Sequence, residues 1–247
     1  MLWVNMGPLS RINLLQSGLE RKFPDRDNQV SIIGLGAVGS WVLRILVVCG
    51  YRNYILLDND VLKETDFNRN ALFDWDGVGR YKVELGEELI RKFLSHLGKV
   101  RVVLIKKSIG KSNGWQKELQ TSSFVFDCID GLNGKANLMR FLWKNGIPFV
   151  SSGSTARKIS LDAVGDTLSK VKEDPLLSRV RRRLISWGVE VEKIPVVYLK
   201  GKTLPLLGPV SAVATGRDRQ IMGSWILSPM AVAIKMVNWF LLGDRDI

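Results

Sequence analysis

A chain of 247 residues that is 46% apolar holds enough hydrophobic material for a large core, which excludes disorder as the default. Its 36 Lys and Arg against 24 Asp and Glu leave a formal net charge of +12 and an isoelectric point near 9.9. That field favours a polyanionic partner, nucleic acid before anionic membrane, with a merely soluble basic surface as the alternative. Two cysteines, Cys49 and Cys128, exclude a disulfide framework or a Cys-rich zinc site and fit a reducing cytoplasm.

Met1 to Ser10 lacks the charged start and apolar core of a secretion signal, so a cytoplasmic protein is expected. Met1 to Lys22 reads as an amphipathic helix (Leu14, Leu15, Leu19) ended by Phe23-Pro24-Asp25. An apolar strand, Val30 to Ile33, then runs into Gly34, Gly36 and Gly39 and a helical pattern at Trp41, Val42, Ile45 and Leu46. A second strand, Tyr54 to Leu57, ends in Asp58, nineteen residues after Gly39. Such a strand, glycine turn, helix and acid-ended strand form a nucleotide-binding unit. Gly34 permits the tight turn, Gly36 lets phosphate approach the backbone, and Gly39 lets helix and strand pack closely. The helix amino end offers free N–H groups and a partial positive charge to an anion.

A polar stretch from Asn59 to Asp76 follows, and then a helix over Lys82 to Leu97 with Leu85, Leu89, Ile90, Phe93 and Leu94 on its apolar face. Val100 to Ile105 and Ser123 to Phe126 are further strands, the second ending in Asp127-Cys128-Ile129-Asp130. Asn133 to Asn145 is a helix and Ile147 to Val150 a buried strand. This alternation predicts an α/β fold with a doubly wound, Rossmann-like, mostly parallel sheet and a smaller C-terminal strand and helix extension. In that extension Lys158 to Val164 alternates like a half-exposed strand, Pro175 to Trp187 is a basic helix, and Pro195 to Leu199 is another strand. Lys200 to Gln220 reads as a loop. Trp225 to Leu242 contains Pro229 and Lys235 and falls short of a membrane span, so a buried docking helix stopped by Gly243 is expected. One domain over 1–247 is predicted, with a nucleotide-binding core at 1–150 and an extension at 151–247.

A lone glycine fingerprint most often means a nicotinamide dehydrogenase, and a redox enzyme binding NAD stays open, as does a nucleotide-binding regulator without catalysis. The companions argue otherwise. Asp58 and Asp60, then Asn68-Arg69-Asn70, then Lys82, then Asp127 and Asp130 flank strand ends, where open α/β sheets bind ligands. Arg69 and Lys82 supply the charge a triphosphate needs, and Asp130 can hold magnesium, which takes one or two carboxylates plus phosphate oxygens. His96, the only histidine, reads as structural or surface.

In these residues the chain resembles the ThiF, MoeB and ubiquitin-activating superfamily of ATP-dependent carboxylate adenylators. The family pattern is a glycine turn, a strand ending in Asp-x-Asp, an Asn-Arg-Gln element, a Lys opening the next helix, and Asp-x-x-Asp. Gly34/Gly36/Gly39, Asp58/Asp60, Asn68-Arg69-Asn70, Lys82 and Asp127/Asp130 match it, with Asn70 standing where Gln is usual. The resemblance implies ATP and magnesium as cofactors, Asp58 on the ribose, Arg69 and Lys82 on the phosphates, and Asp130 on the metal. It also implies a homodimer and an arginine from an amino-terminal helix, for which Arg11 is the candidate.

Many relatives use Cys-x-x-Cys zinc pairs or a later cysteine for a covalent relay; this chain has neither. A covalent relay is therefore not expected. The second half resembles the tRNA threonylcarbamoyladenosine dehydratase branch, in Asp166-Thr-Leu-Ser-Lys170, Asp174-Pro175-Leu176, the run from Arg179 to Leu184 closing at Gly188, Pro195-Val-Val-Tyr-Leu, and Met222-Gly223-Ser224. That branch implies a tRNA anticodon arm as partner, met here by Lys170, Arg179, Arg181, Arg182 and Arg183. Arg179 and Arg183 stand one turn apart and repel, a cost that arriving phosphates relieve. Arg181 and Arg182 lie about 100° apart on a helix and cannot face one groove. The alternative within the superfamily is adenylation of a ubiquitin-like or sulfur-carrier protein.

Overall fold

The computed structural model describes residues 23–71, 74–110, 114–204 and 226–243, together with Asn13. The expected amino-terminal helix with Arg11, most of the 200–220 loop, and Met222-Gly223-Ser224 lie outside the described residues.

Among the described residues seven strands form one sheet in the order β3-β2-β1-β4-β5-β7-β6. They are β1 Gln29–Ile33, β2 Asn53–Leu57, β3 Arg101–Ile105, β4 Phe124–Asp127, β5 Phe149–Ser152, β6 Ala163–Thr167 and β7 Pro195–Leu199. Every neighbouring pair is parallel except β6 with β7. β1 lies between β2 and β4, so the chain winds outward in both directions from the crevice beside β1.

Strand residues alternate between two cores, which is why the runs are apolar throughout and not polar at every second position. Val30, Ile32, Tyr54, Leu56 and Phe126 face one side, where they meet α1 (Ala37–Val48) and α2 (Lys82–Leu94). Ile33, Ile55, Leu57 and Val125 face the other, against α3 (Gln116–Leu119), α4 (Leu132–Lys144) and α5 (Pro175–Ser186). The last helix, α6 (Leu227–Leu242), closes the first core. Its Phe240 ring lies 4.8 Å from Phe124, 5.2 Å from Tyr51 and 5.5 Å from Phe126, centroid to centroid. This is the expected docking helix, and Gly243 stops it with φ +78°. Among the described residues no helix is long and apolar enough to cross a membrane.

β7 pairs with β5, so the segment after Ser151 continues the sheet of the first half. One strand falls differently from the expected Lys158 to Val164: β6 begins at Ala163. Alternation misleads because the usual polarity is inverted. Lys158 is buried and its Nζ donates to the Glu173 and Leu199 carbonyls, at 3.0 and 2.7 Å, whereas Ile159 and Leu161 are exposed. The backbone of Ser160 is tied to Ser228 at the start of α6, and ladder pairing begins only at Ala163 with Leu199.

Candidate nucleotide and RNA sites

A cavity of about 560 Å³ opens at the carboxyl ends of β1, β2, β4 and β5. Its floor is the glycine turn. Gly34 holds φ +89° against the Cys128 carbonyl, and a Cβ on Gly39 would fall 1.8 Å from the Gly34 oxygen, so both positions exclude side chains. Gly36 differs: a Cβ there would meet nothing within 4 Å, and that open space is the cavity itself. Gly36, Ala37 and Val38 bring the amino end of α1 into the wall without a side-chain cap or a first-turn acid. The turn therefore presents backbone N–H groups to an anion.

Asp58 ties this turn to the end of β2. Its carboxylate accepts the Leu35 N–H at 2.6 Å and the Asp60 N–H at 2.8 Å. Burial pushes its pKa above the ordinary carboxylate value, against the opposing pull of Lys82 and these two N–H groups. Asp58 and Asp60 both line the cavity.

The cationic end is organised by a residue that sequence reasoning passed over. Buried Asp66 accepts Arg69 Nη2 at 3.0 Å on one oxygen and Lys82 Nζ at 3.0 Å on the other. Arg69 Nη1 also donates to the Thr65 carbonyl at 2.6 Å and to Asn68 at 2.8 Å. Asn68 is exposed and supports Arg69 from outside the cavity lining, whereas Asp66, Arg69 and Lys82 line it. Asn70 reaches the Leu35 carbonyl at 3.2 Å, so the whole 66–70 segment clamps onto the glycine turn. The three-residue spacing of Asp66 and Arg69 was the available signal for the pair.

A second missed group lies behind the floor. Asp127, Lys135 and Ser151 are fully buried, with Lys135 Nζ 2.9 Å from both the Asp127 carboxylate and the Ser151 hydroxyl, which in turn donates to Asp127 at 2.5 Å. The other Asp127 oxygen accepts the Ile129 N–H at 3.1 Å. This fixes the turn that carries Asp130, whose exposed carboxylate stands on the cavity wall. The signal was Lys135 itself, one helical turn before Met139 on the apolar face of α4.

Among the described residues no three His, Cys, Asp or Glu side chains gather as a metal cage. An exposed carboxylate such as Asp130 on the cavity wall has the chemistry that magnesium takes beside phosphate oxygens and water. Burial pushes both thiols up, and Asp127 raises Cys128 further. His96 is exposed at the end of α2, away from the cavity.

The basic helix α5 begins at buried Asp174, whose side chain caps Leu177 N–H at 2.9 Å. Its arginines divide as their angular spacing demands. Arg181 turns inward onto the Ser169 and Val171 carbonyls at 2.9 and 2.7 Å. Arg179, Arg182 and Arg183 share the opposite surface with Leu132, Ser186 and Trp187 around a shallow cavity. Arg183 donates to Asn133, and Arg140 and Arg183 lie 5.1 and 6.0 Å from the Trp187 ring. Asn133 also lines the nucleotide cavity, so the two surfaces meet at the start of α4. Lys170 stands apart, paired with Asp166 at 3.2 Å.

Comparison with known proteins agrees with this geometry. The ThiF family model matches residues 24–170. The chain is 32% identical over 239 residues to tRNA threonylcarbamoyladenosine dehydratase 2 of Saccharomyces cerevisiae, covering 88% of this chain and 52% of that protein. It is 32% identical over 161 residues to tRNA threonylcarbamoyladenosine dehydratase of Escherichia coli, covering 65% of this chain and 59% of that one. The chain thus spans little more than half the length of these curated relatives. The crystal structure of the Escherichia coli enzyme in complex with ATP superposes with a TM-score of 0.74 at 25% identity, covering 86% of this chain and 84% of that one.

Proposed function

The chain belongs to the ThiF family, and from that premise we propose that it is an ATP-dependent tRNA threonylcarbamoyladenosine dehydratase. One observation carries the reading: a single cavity gathers the glycine turn, Asp58, the Arg69 and Lys82 cations and Asp130, while the surroundings of both half-buried cysteines push the thiol pKa up and activate neither. The similarity to dehydratases, one of them solved with ATP, supports the choice of substrate.

In this reading Asp58 holds the ribose, with Asp60 beside it, and Gly34, Gly36 and the amino end of α1 face the phosphates. Arg69 and Lys82 stabilise charge as it builds on the leaving pyrophosphate. Magnesium, held by Asp130 and phosphate oxygens, would neutralise further phosphate charge. A carboxylate oxygen of the modified nucleoside attacks the α-phosphorus, the bond to the β-phosphate breaks, and pyrophosphate leaves. The neighbouring ureido group then closes on the activated carbonyl and expels AMP, so water is lost overall. Ring closure needs no enzyme nucleophile, because the attacking group is already held beside the carbonyl.

Arg179, Arg182 and Arg183 would meet the anticodon arm beside the cavity, with Lys170 at the margin and Arg181 bracing the surface from behind. The chain would act as one adenylating domain, core 1–150 with extension 151–247, a reading supported by the shared sheet. It would work in the cytoplasm as a homodimer, in which Arg11 completes a site; light scattering on the active protein tests that assembly. The deciding experiment is nucleoside mass spectrometry of tRNA incubated with the protein, ATP and magnesium. A product lighter by one water is expected. Unchanged tRNA, together with ATP–pyrophosphate exchange dependent on a carrier protein, would replace this reading with the carrier alternative.

A further inference from the structure

The two cations assigned to the phosphates are not free in the described structure: both are already bound to Asp66. One carboxylate, almost wholly removed from water, takes Arg69 on Oδ1 and Lys82 on Oδ2, and Oδ2 also accepts the Lys63 N–H at 3.2 Å. Arg69 and Lys82 line the nucleotide cavity together with Asp66 itself. An incoming triphosphate therefore meets two positive charges already offset by one negative charge.

We propose that Asp66 is a built-in counter-anion that holds Arg69 and Lys82 in place while the site is empty and limits the strength with which they retain polyphosphate, so that pyrophosphate can leave. It is a positioning residue, acting through the two cations. Two features make this more than scaffolding. Lys82 is itself buried, so without Asp66 it loses its salt bridge and keeps the longer-range pull of Asp58 until phosphate arrives. Arg69, in contrast, keeps the Thr65 carbonyl and Asn68 and stays oriented whether or not Asp66 is charged. Removing the Asp66 charge should then leave the grip aimed and strengthen it.

The inference rests on reading the cavity as an ATP site, and wild-type protein that binds neither ATP nor pyrophosphate would overturn that reading with it. The experiment is calorimetric titration of wild type, D66N and D66E with ATP, pyrophosphate and AMP, alongside thermal melts. D66N should bind ATP and pyrophosphate about 10-fold to 100-fold more tightly, the scale of one unit charge acting over roughly 6–12 Å at an effective dielectric near 20. AMP should tighten much less, and D66E should keep the wild-type ratio of ATP to AMP affinity. D66N should melt lower when empty and gain a larger shift from ATP than wild type does. Weaker or unchanged ATP binding in D66N, or an equal change for all three ligands, would reduce Asp66 to a structural cap. D66S carries the same expectations should D66N fail to fold.

Discussion

Two regions of this protein gather charged side chains, and they hold them in opposite ways. At the nucleotide end most of the charged groups are partnered within the fold, Asp127 with Lys135, Asp66 with Arg69 and Lys82, and Asp58 with two backbone N–H groups, while Asp130 stays exposed on the cavity wall. On the outer surface of α5, Arg179 and Arg182 are exposed, and only the edge of the patch is fixed, by Arg183 on Asn133. A buried charge is intolerant of losing its partner, because the remaining ion stays out of water. An exposed arginine is dispensable to the fold, and its value appears only when a polyanion arrives. The first region should respond to substitution in stability and turnover, the second in affinity and salt dependence.

The largest expected effect tests the buried half. Lys135→Met leaves the buried Asp127 carboxyl group with the Ser151 hydroxyl and the Ile129 N–H but no cation, and should cost about 3–5 kcal/mol of folding stability. Urea unfolding measures it, and Asp127→Asn in the same chain should recover part of the loss. A cost below about 1 kcal/mol would mean that burial at this site is far less demanding than the geometry implies.

Next comes Asp130, which shares the turn with Asp127 but faces the cavity. Asp130→Asn should lower adenylation by about 10²-fold to 10³-fold, the range for removing one group that stabilises developing charge. Its urea midpoint should stay within error of wild type. The contrast with Lys135, five residues away, separates chemistry from framework; full activity in this variant would remove Asp130 from the site.

This division explains what could be read from the sequence. The glycine turn, the acid-ended strands, Arg69 and Lys82 were legible because backbone geometry and phosphate chemistry constrain which residues stand there. So was the docking of α6, whose apolar length leaves it no other place. Asp66 and Lys135 were harder, because a buried ion pair is a relation between two positions and neither residue alone reveals it. Lys158 and the start of β6 were misplaced for a related reason: the pattern assumes that apolar side chains face inward, and here a lysine does so to satisfy two carbonyls. Helical spacing separated Arg181 from Arg182 but did not say which of them turns inward, nor that the Ser169 and Val171 carbonyls take Arg181.

The surface half is tested by a smaller effect. Arg179→Ala with Arg182→Ala should weaken tRNA binding several-fold and leave ATP binding unchanged. The log–log salt slope should become shallower by about 0.7–0.9 for each phosphate that the protein no longer neutralises. Arg181→Ala should do the reverse, lowering the melting temperature while the salt slope stays fixed, because its guanidinium is spent on carbonyls. If Arg181 moves the slope and the exposed pair does not, the patch has been assigned to the wrong face of α5.

The smallest effect belongs to Asp58, and its sign is opposite to that of an ordinary ion-paired carboxylate. A carboxylate stabilised by a cation has a depressed pKa and loses stability as pH falls. Burial outweighs Lys82 at Asp58, and its folded pKa lies above the unfolded value of 3.8. The folded state therefore binds this proton more tightly than the unfolded chain does. Its contribution to stability is greatest below 3.8, declines as pH rises toward the folded pKa, and is flat beyond it. Asp58→Asn removes that decline, so the difference in urea midpoint between variant and wild type should shift in the variant's favour as pH rises through the window. Binding runs the other way, since an ionised Asp58 accepts more strongly from ribose hydroxyls, and wild-type affinity for ATP should rise over the same window. Parallel pH profiles for the two proteins would mean that the backbone N–H groups and Lys82 cancel the effect of burial at Asp58, and a reversed slope that they outweigh it.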